Sequence, residues 1–210
     1  MKLRSLVLPA LVVAAPAPLA FGGWAVVTID NPPRALAAGV PFTIDYTVRQ
    51  HGVELMPGLR GSVEAVSGRH RVKVDARPLT TGRYTATVTI PEPGDWTITV
   101  HSGFGPSRTT LLPLRVARAG AVAEALPDAE YGRHLFAAKG CAVCHVEMKL
   151  APDPRTQSYD AAFVKKLLAD PQSVPKRRAS PVDMPNLGLT ATEIAALTAY
   201  LAGPHPAGTR

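Results

Sequence analysis

The sequence predicts a multidomain chain, with an N-terminal all-β sandwich followed by an all-α C-terminal unit. Three observations carry that expectation. Residues 23–117 consist of short alternating or apolar runs cut by turn signals. From Arg118 onward, alanine-rich stretches place apolar residues at helical spacing. Both cysteines of the chain fall within one short stretch of that second half, which marks it as the part that carries chemistry.

The N-terminus is read first. Lys2 and Arg4 form a positive start, and no charged residue follows until Asp30. Ser5 to Ala20 is apolar and ends in small residues, so residues 1–20 read as a secretory signal peptide. An uncleaved membrane anchor is the alternative, because the charge-free run is long enough to span a bilayer. Pro9, Pro16 and Pro18 count against a regular spanning helix. Either way the body of the protein is expected outside the cytoplasm, in a periplasmic or similar compartment.

Residues 21–117 form the expected β-domain. The runs "GWAVVTID", "VPFTIDYTVRQ", "GSVEAVS", "HRVKVDAR", "RYTATVTI", "DWTITVHS" and "TTLLPLRVA" read as seven strands. The signals "NPP", "MPG", "SG", "TTG", "PEPG" and "GFGPS" separate most of them. Seven short strands with no helical period between them suggest an antiparallel sandwich of immunoglobulin-like type. Trp24 and Trp96 are its expected large core residues.

Residues 118–127, with alanine, Gly120 and Pro127, read as a linker, and residues 128–204 read as helical. "DAEYGRHLFAAKG" places Tyr131, Leu135 and Phe136 near one face, with Gly140 as the stop. "SYDAAFVKKLLAD" repeats apolar residues at Phe163, Val164, Leu167 and Leu168. "LTATEIAALTAYLAG" opens on a Thr190–Glu193 capping box. Residues 205–210 are a tail.

Charge excludes one class of function. The net charge is +7, with 13 Lys/Arg against 8 Asp/Glu in residues 1–125 and 10 against 8 in residues 126–210. Neither half carries the basic stripe that nucleic-acid binding needs. The balance favours acidic partners instead.

Cys141-Ala142-Val143-Cys144-His145 is a C-x-x-C-H motif, which reads as c-type haem attachment. Two thiols can add to the two vinyl groups of a porphyrin, and the histidine behind them is placed to bind the iron. Three rivals are weaker. Structural zinc wants four N/S ligands, and no second Cys or His pair is present. A thioredoxin-like pair belongs beside a βαβ unit, which this half lacks. A disulfide across two residues closes too small a loop to stabilise much. Met184, in "PVDMPNLGL", is the candidate distal ligand. Its alternative role is a loop methionine filling a gap in the core.

Residues 128–204 resemble class I cytochromes c. "GRHLFAAKGCAVCH" is similar to that family's first helix and attachment site, and "MPNLGLTATEIAALTAYL" to its methionine loop and last helix. The resemblance implies one covalent haem c, with Cys141 and Cys144 in thioether bonds, His145 as proximal ligand and Met184 as distal ligand. It implies a helix crossing at Gly132, Phe136 and Tyr200. It also implies a proline carbonyl accepting from His145 Nδ1–H, with Pro154 expected and Pro152 as the alternative. Arg155, Lys176, Arg177 and Arg178 are candidate partners for the propionates. With iron held by His and Met, the implied activity is single-electron transfer to respiratory or other redox proteins rather than enzyme catalysis.

The N-terminal half, through "VRQHGVELMPGL" and "TVHSGFG", is similar in layout to exported YtkA-like or FixH-like domains. That resemblance frames the alternative function, a copper-handling or oxidase-assembly protein with an appended cytochrome. His51, Met56, His70 and His101 are the candidate copper ligands. Convergence of His51, Met56 and His101 would favour it, and their scatter would favour an electron carrier whose sandwich is a docking module. Membrane association would come through the N-terminus or through a membrane complex. A haem-dependent enzyme subunit is a third option.

Overall fold

The computed structural model describes residues 23–175 and 182–203. The expected signal peptide, the basic run Lys176–Arg178, Pro181 and the tail lie outside the described residues.

Each of the seven expected runs holds a strand, and the chain adds more. In order they are β1 (Ala25–Ile29), β2 (Leu36–Ala37), β3 (Phe42–Gln50), β4 (Glu54–Leu55), β5 (Ser62–Ser67), β6 (His70–Asp75), β7 (Arg77–Thr80), β8 (Arg83–Val88), β9 (Gly94–His101), β10 (Arg108–Thr110) and β11 (Leu114–Ala117). "TTLLPLRVA" yields parts of two strands because Pro113 cannot donate to a ladder. Both parts pair with β9, at Thr110↔Thr99 and Leu114↔Trp96.

The strands form two sheets. One runs β1-β3-β8-β7 with β4 continuing beside β3, and the other runs β2-β11-β9-β5-β6 with β10 beside β9. Period-two alternation sends one face of each sheet inward. On β9, Trp96, Ile98 and Val100 are buried while Asp95, Thr97 and Thr99 are more exposed. They meet Ile44, Tyr46, Val48 and Tyr84 from the opposite sheet in one core. Trp96 lies in that core, its Nε1–H donating to the Glu92 carbonyl at 3.0 Å. Trp24 instead stands at the rim, edge-on to His51 at 5.7 Å between ring centres.

Among the described residues three α-helices follow: α1 (Asp128–Ala138), α2 (Ala161–Ala169) and α3 (Ala191–Leu201). The Thr190–Glu193 capping box is formed at the start of α3. Among the described residues no helix is long and apolar enough to cross a membrane.

The predicted fold class requires correction. The expectation was an immunoglobulin-like antiparallel sandwich followed by an all-α cytochrome c domain. The chain is mostly β, in two sheets of eleven strands, and β2 pairs with β11 in parallel. Among the described residues no all-α C-terminal domain stands beside them. The helices have 11, 9 and 11 residues, separated by 3-10 turns and irregular chain.

The physical reason lies in α1, which is buried on two faces. Gly132, Leu135 and Phe136 turn toward α3. There is no room for a Cβ at Gly132 against the Ala196 carbonyl, and Phe136 meets Tyr200 edge to face at 6.0 Å. Tyr131 and Ala138 turn toward the sheets. Tyr131 Oη donates to the Pro32 carbonyl at 3.2 Å, and Ala138 belongs to the inter-sheet core. A helical period read for one apolar face does not reveal the second.

More bonds tie the two parts together. Arg34 donates to the Leu126 carbonyl at 2.7 Å and to Asp128 at 2.9 Å, and lies over the Tyr131 ring. Leu126, in the expected linker, packs against both apolar clusters. Lys139, just after α1, donates to the Asp30 carbonyl at 2.9 Å and pairs with Glu193 of α3 at 2.6 Å.

Candidate functional site

The C-x-x-C-H segment begins where α1 stops. Gly140 takes φ +74°, a left-handed conformation that glycine adopts without strain. A Cβ there would sit 2.5 Å from Val26 Cγ1, so glycine also permits the close approach to β1. Val143–Glu147 then forms a single π-helical turn, closed by the Met148 amide donating to the Val143 carbonyl at 2.9 Å. Such turns are uncommon and recur at functional sites. Cys144 and His145 both lie within it.

His145 Nδ1 is 2.7 Å from the Pro152 carbonyl oxygen. A carbonyl only accepts, so Nδ1 carries the proton and Nε2 presents its lone pair. This corrects the expectation of Pro154. Pro154 opens the 3-10 turn Pro154–Thr156, which Asp153 caps through the Arg155 amide. Proline at the start of such a turn is suited by its fixed φ. Spacing alone could not separate two prolines two residues apart.

Cys141 and Cys144 are free thiols. Burial pushes the Cys141 thiol up to about 12, and burial also raises Cys144. A redox-active C-x-x-C pair works through a thiol of lowered pKa, so both shifts run against that role. Among the described residues no group of three or more His, Cys, Asp or Glu side chains could hold a metal ion. Structural zinc therefore lacks its ligand set.

Cys141 packs at the edge of the apolar cluster built by Tyr131, Leu135, Phe136, Val164, Leu168 and Leu197. Met184 packs on the same cluster, and its carbonyl accepts from Gln172 Nε2 at 2.9 Å. That bond ties the methionine loop to the 3-10 turn Pro171–Ser173 after α2. Arg155 is held by Asp153 at 2.7 Å and lies 5.5 Å from the Phe136 ring centre. Its guanidinium lowers the Asp153 carboxyl, chiefly by hydrogen bonding.

No family model matches the chain, and no curated protein matches it. Two solved structures show partial likeness. One is a protein proposed to be a glycoside hydrolase, from Bacteroides vulgatus, at 17% identity and a TM-score of 0.33 over 40% of this chain. The chain spans only 16% of the length of that protein. The other is the ZirS C-terminal domain, at 15% identity and a TM-score of 0.32, covering 55% of this chain and 86% of that one.

The donor set present fits a covalent haem. Two protonated thiols stand three positions apart, and an imidazole behind them is oriented by Pro152 with Nε2 open. A thioether lies on the same apolar cluster as the first thiol. Two of the candidate copper ligands lie far apart. His70 pairs with Ser67 at one end of β5, and His101 pairs with Ser62 at the other. Five strand steps separate those ends by about 17 Å. His51 lies against Trp24, and Met56 packs into the inter-sheet core.

Two features escaped sequence reading. The Lys139–Glu193 pair had no signal, because 54 positions separate two residues that each look like surface charges. His134 reads as a polar helix residue, yet it is 2% exposed and neither ring nitrogen has a hydrogen-bond partner.

Proposed function

We propose that the chain is an exported electron carrier holding one covalent haem at Cys141, Cys144 and His145, with Met184 as the distal donor. The observation that carries this reading is the His145–Pro152 bond. It sets the tautomer and fixes the ring plane, which a proximal ligand needs and a surface histidine does not. When bound, the haem supplies a reversible one-electron couple.

The chain's own residues do the rest. Cys141 and Cys144 anchor the group so that a small apolar cluster suffices to retain it. The Pro152 carbonyl draws on the Nδ1 proton and makes Nε2 a stronger donor. The cluster around Leu135, Phe136 and Leu197 keeps water from one side of the site. A thioether at the distal position raises the reduction potential relative to a second imidazole. The excess of basic residues suits acidic docking surfaces on redox proteins. For the copper-handling alternative, His70 and His101 cannot share one ion, since they lie beside opposite ends of β5.

The test is expression of the full chain together with a cytochrome c maturation system. A red protein whose haem resists acid–acetone extraction, and loses that resistance in Cys141→Ser/Cys144→Ser, is the expected result. A colourless protein overturns the reading.

A further inference from the structure

One end of the two-sheet body is built unlike the rest. There β3 runs into the turn at His51–Val53, and β4 returns alongside it, pairing Leu55 with Arg49. Val53 is 64% exposed and Leu55 is 46% exposed. Leu55 packs against the β7–β8 turn, where a Cβ at Gly82 would lie 2.8 Å from its own. Leu79, on β7 beside that turn, is 49% exposed. Three of the chain's exposed large apolar side chains therefore share one end.

The chain also joins the fold at this end. The Trp24 carbonyl accepts from the His51 amide at 3.0 Å, and the Trp24 indole is seated edge-on to the His51 ring. Everything before Trp24 thus connects here, and the sequence from Ser5 to Ile29 carries no charge. If that apolar segment is retained, it leaves from this end. Arg60 and Arg108 flank the end, exposed and with no ion pair among the described residues. Glu54 is the acid on the hairpin.

We propose that this end of the β-body rests on the surface of an anionic lipid bilayer. Three apolar side chains are too few for a stable protein–protein interface, which buries ~800 Å² per partner. They suit shallow insertion among headgroups, where a half-buried indole and flanking cations add to the attraction. A second copy of the chain is a poor occupant, since both copies carry +7. The orientation has a consequence for the attachment turn. A cleft of about 610 Å³ between Trp24 and Arg108 on one wall and Val143 and Met148 on the other opens beside this end. The bilayer surface would hold that cleft toward partners embedded in the membrane.

The proposal does not depend on the haem reading, and an absorption spectrum of the same sample tests the two separately. Hydrogen exchange of the full chain is measured with and without vesicles of phosphatidylcholine and phosphatidylglycerol. The amides of residues 51–56 are expected to exchange several-fold more slowly on vesicles. Val53→Glu/Leu55→Glu is expected to remove that protection while leaving the melting temperature in solution unchanged. Equal exchange in both conditions overturns the proposal, even if the chain is held to the vesicle through its N-terminus. So does protection that appears without vesicles and grows with protein concentration, which would mark a second copy as the occupant.

Discussion

The ammonium group of Lys139 lies 2.6 Å from the Glu193 carboxylate, with the two side chains only 4% and 10% exposed. Both ends of the pair are supported. Lys139 also donates to the Asp30 carbonyl, and Glu193 accepts from the Thr190 amide through the capping box. One buried ion pair thus joins the end of α1, the start of α3 and the strand-end residue after β1. Removing one partner leaves an unpaired charge inside. Lys139→Met is expected to cost about 3–5 kcal/mol in urea denaturation, and Lys139→Met/Glu193→Leu to recover much of that loss.

Gly132 gives a second test of the same junction. A Cβ there overlaps the Ala196 backbone carbonyl, which cannot move without shifting α3. Gly132→Ala is expected to destabilise by roughly 1–3 kcal/mol, although alanine is the better helix former. Thermal unfolding followed by circular dichroism checks it. A gain in stability would mean that the two helices do not cross at this residue.

His134 predicts a pH dependence with a definite sign. Burial lowers its pKa in the folded chain, Arg133 adds to the shift, and Glu130 opposes it. The unfolded chain takes up a proton below about 6.5, where the folded chain still resists it. The unfolded state therefore binds more protons, and stability falls as pH drops below that value. His134→Leu is expected to flatten this slope between about pH 7 and 5, and to leave stability at neutral pH equal or higher. Denaturant titrations at several pH values read both effects.

The thiols make a fourth prediction. Partly buried and protonated, Cys141 is expected to react slowly with iodoacetamide at pH 8 in folded, haem-free protein, and fully in denaturant. Mass spectrometry of the alkylated chain distinguishes the two. Rapid labelling of the folded protein would show an exposed, reactive pair and would return a redox role to contention.

For the haem-loaded protein, Met184→Ala is expected to retain covalent haem, lower the reduction potential and permit carbon monoxide binding to the reduced form. Potentiometric titration and the carbon monoxide difference spectrum check it. An unchanged potential would remove Met184 from the distal position.

Much of the local structure was legible in the residues. Alternation along "DWTITVHS" located β9 and its inward face, and Thr190 with Glu193 announced the start of α3. Gly140 stops α1 as its residue type suggests. What escaped is what depends on long-range contact. The second buried face of α1 is set by Pro32 and Arg34, about a hundred positions earlier. Because of it, a fold of two separable units was expected where one mostly β structure stands. The short strands β2, β4 and β7 have too few residues to show a period. The choice of Pro152 over Pro154 depends on where the π turn aims His145, and no residue type encodes that direction.

Gly140 touches Val26 and directly precedes Cys141. The angular position of the thiols about the α1 axis is therefore indexed to a strand rather than to the other helices. Each residue added or removed between Ala138 and Cys141 would therefore re-aim the thiols relative to β1. The spacer of two residues works like a key in a slot: its length, more than its composition, decides which way the C-x-x-C-H turn faces.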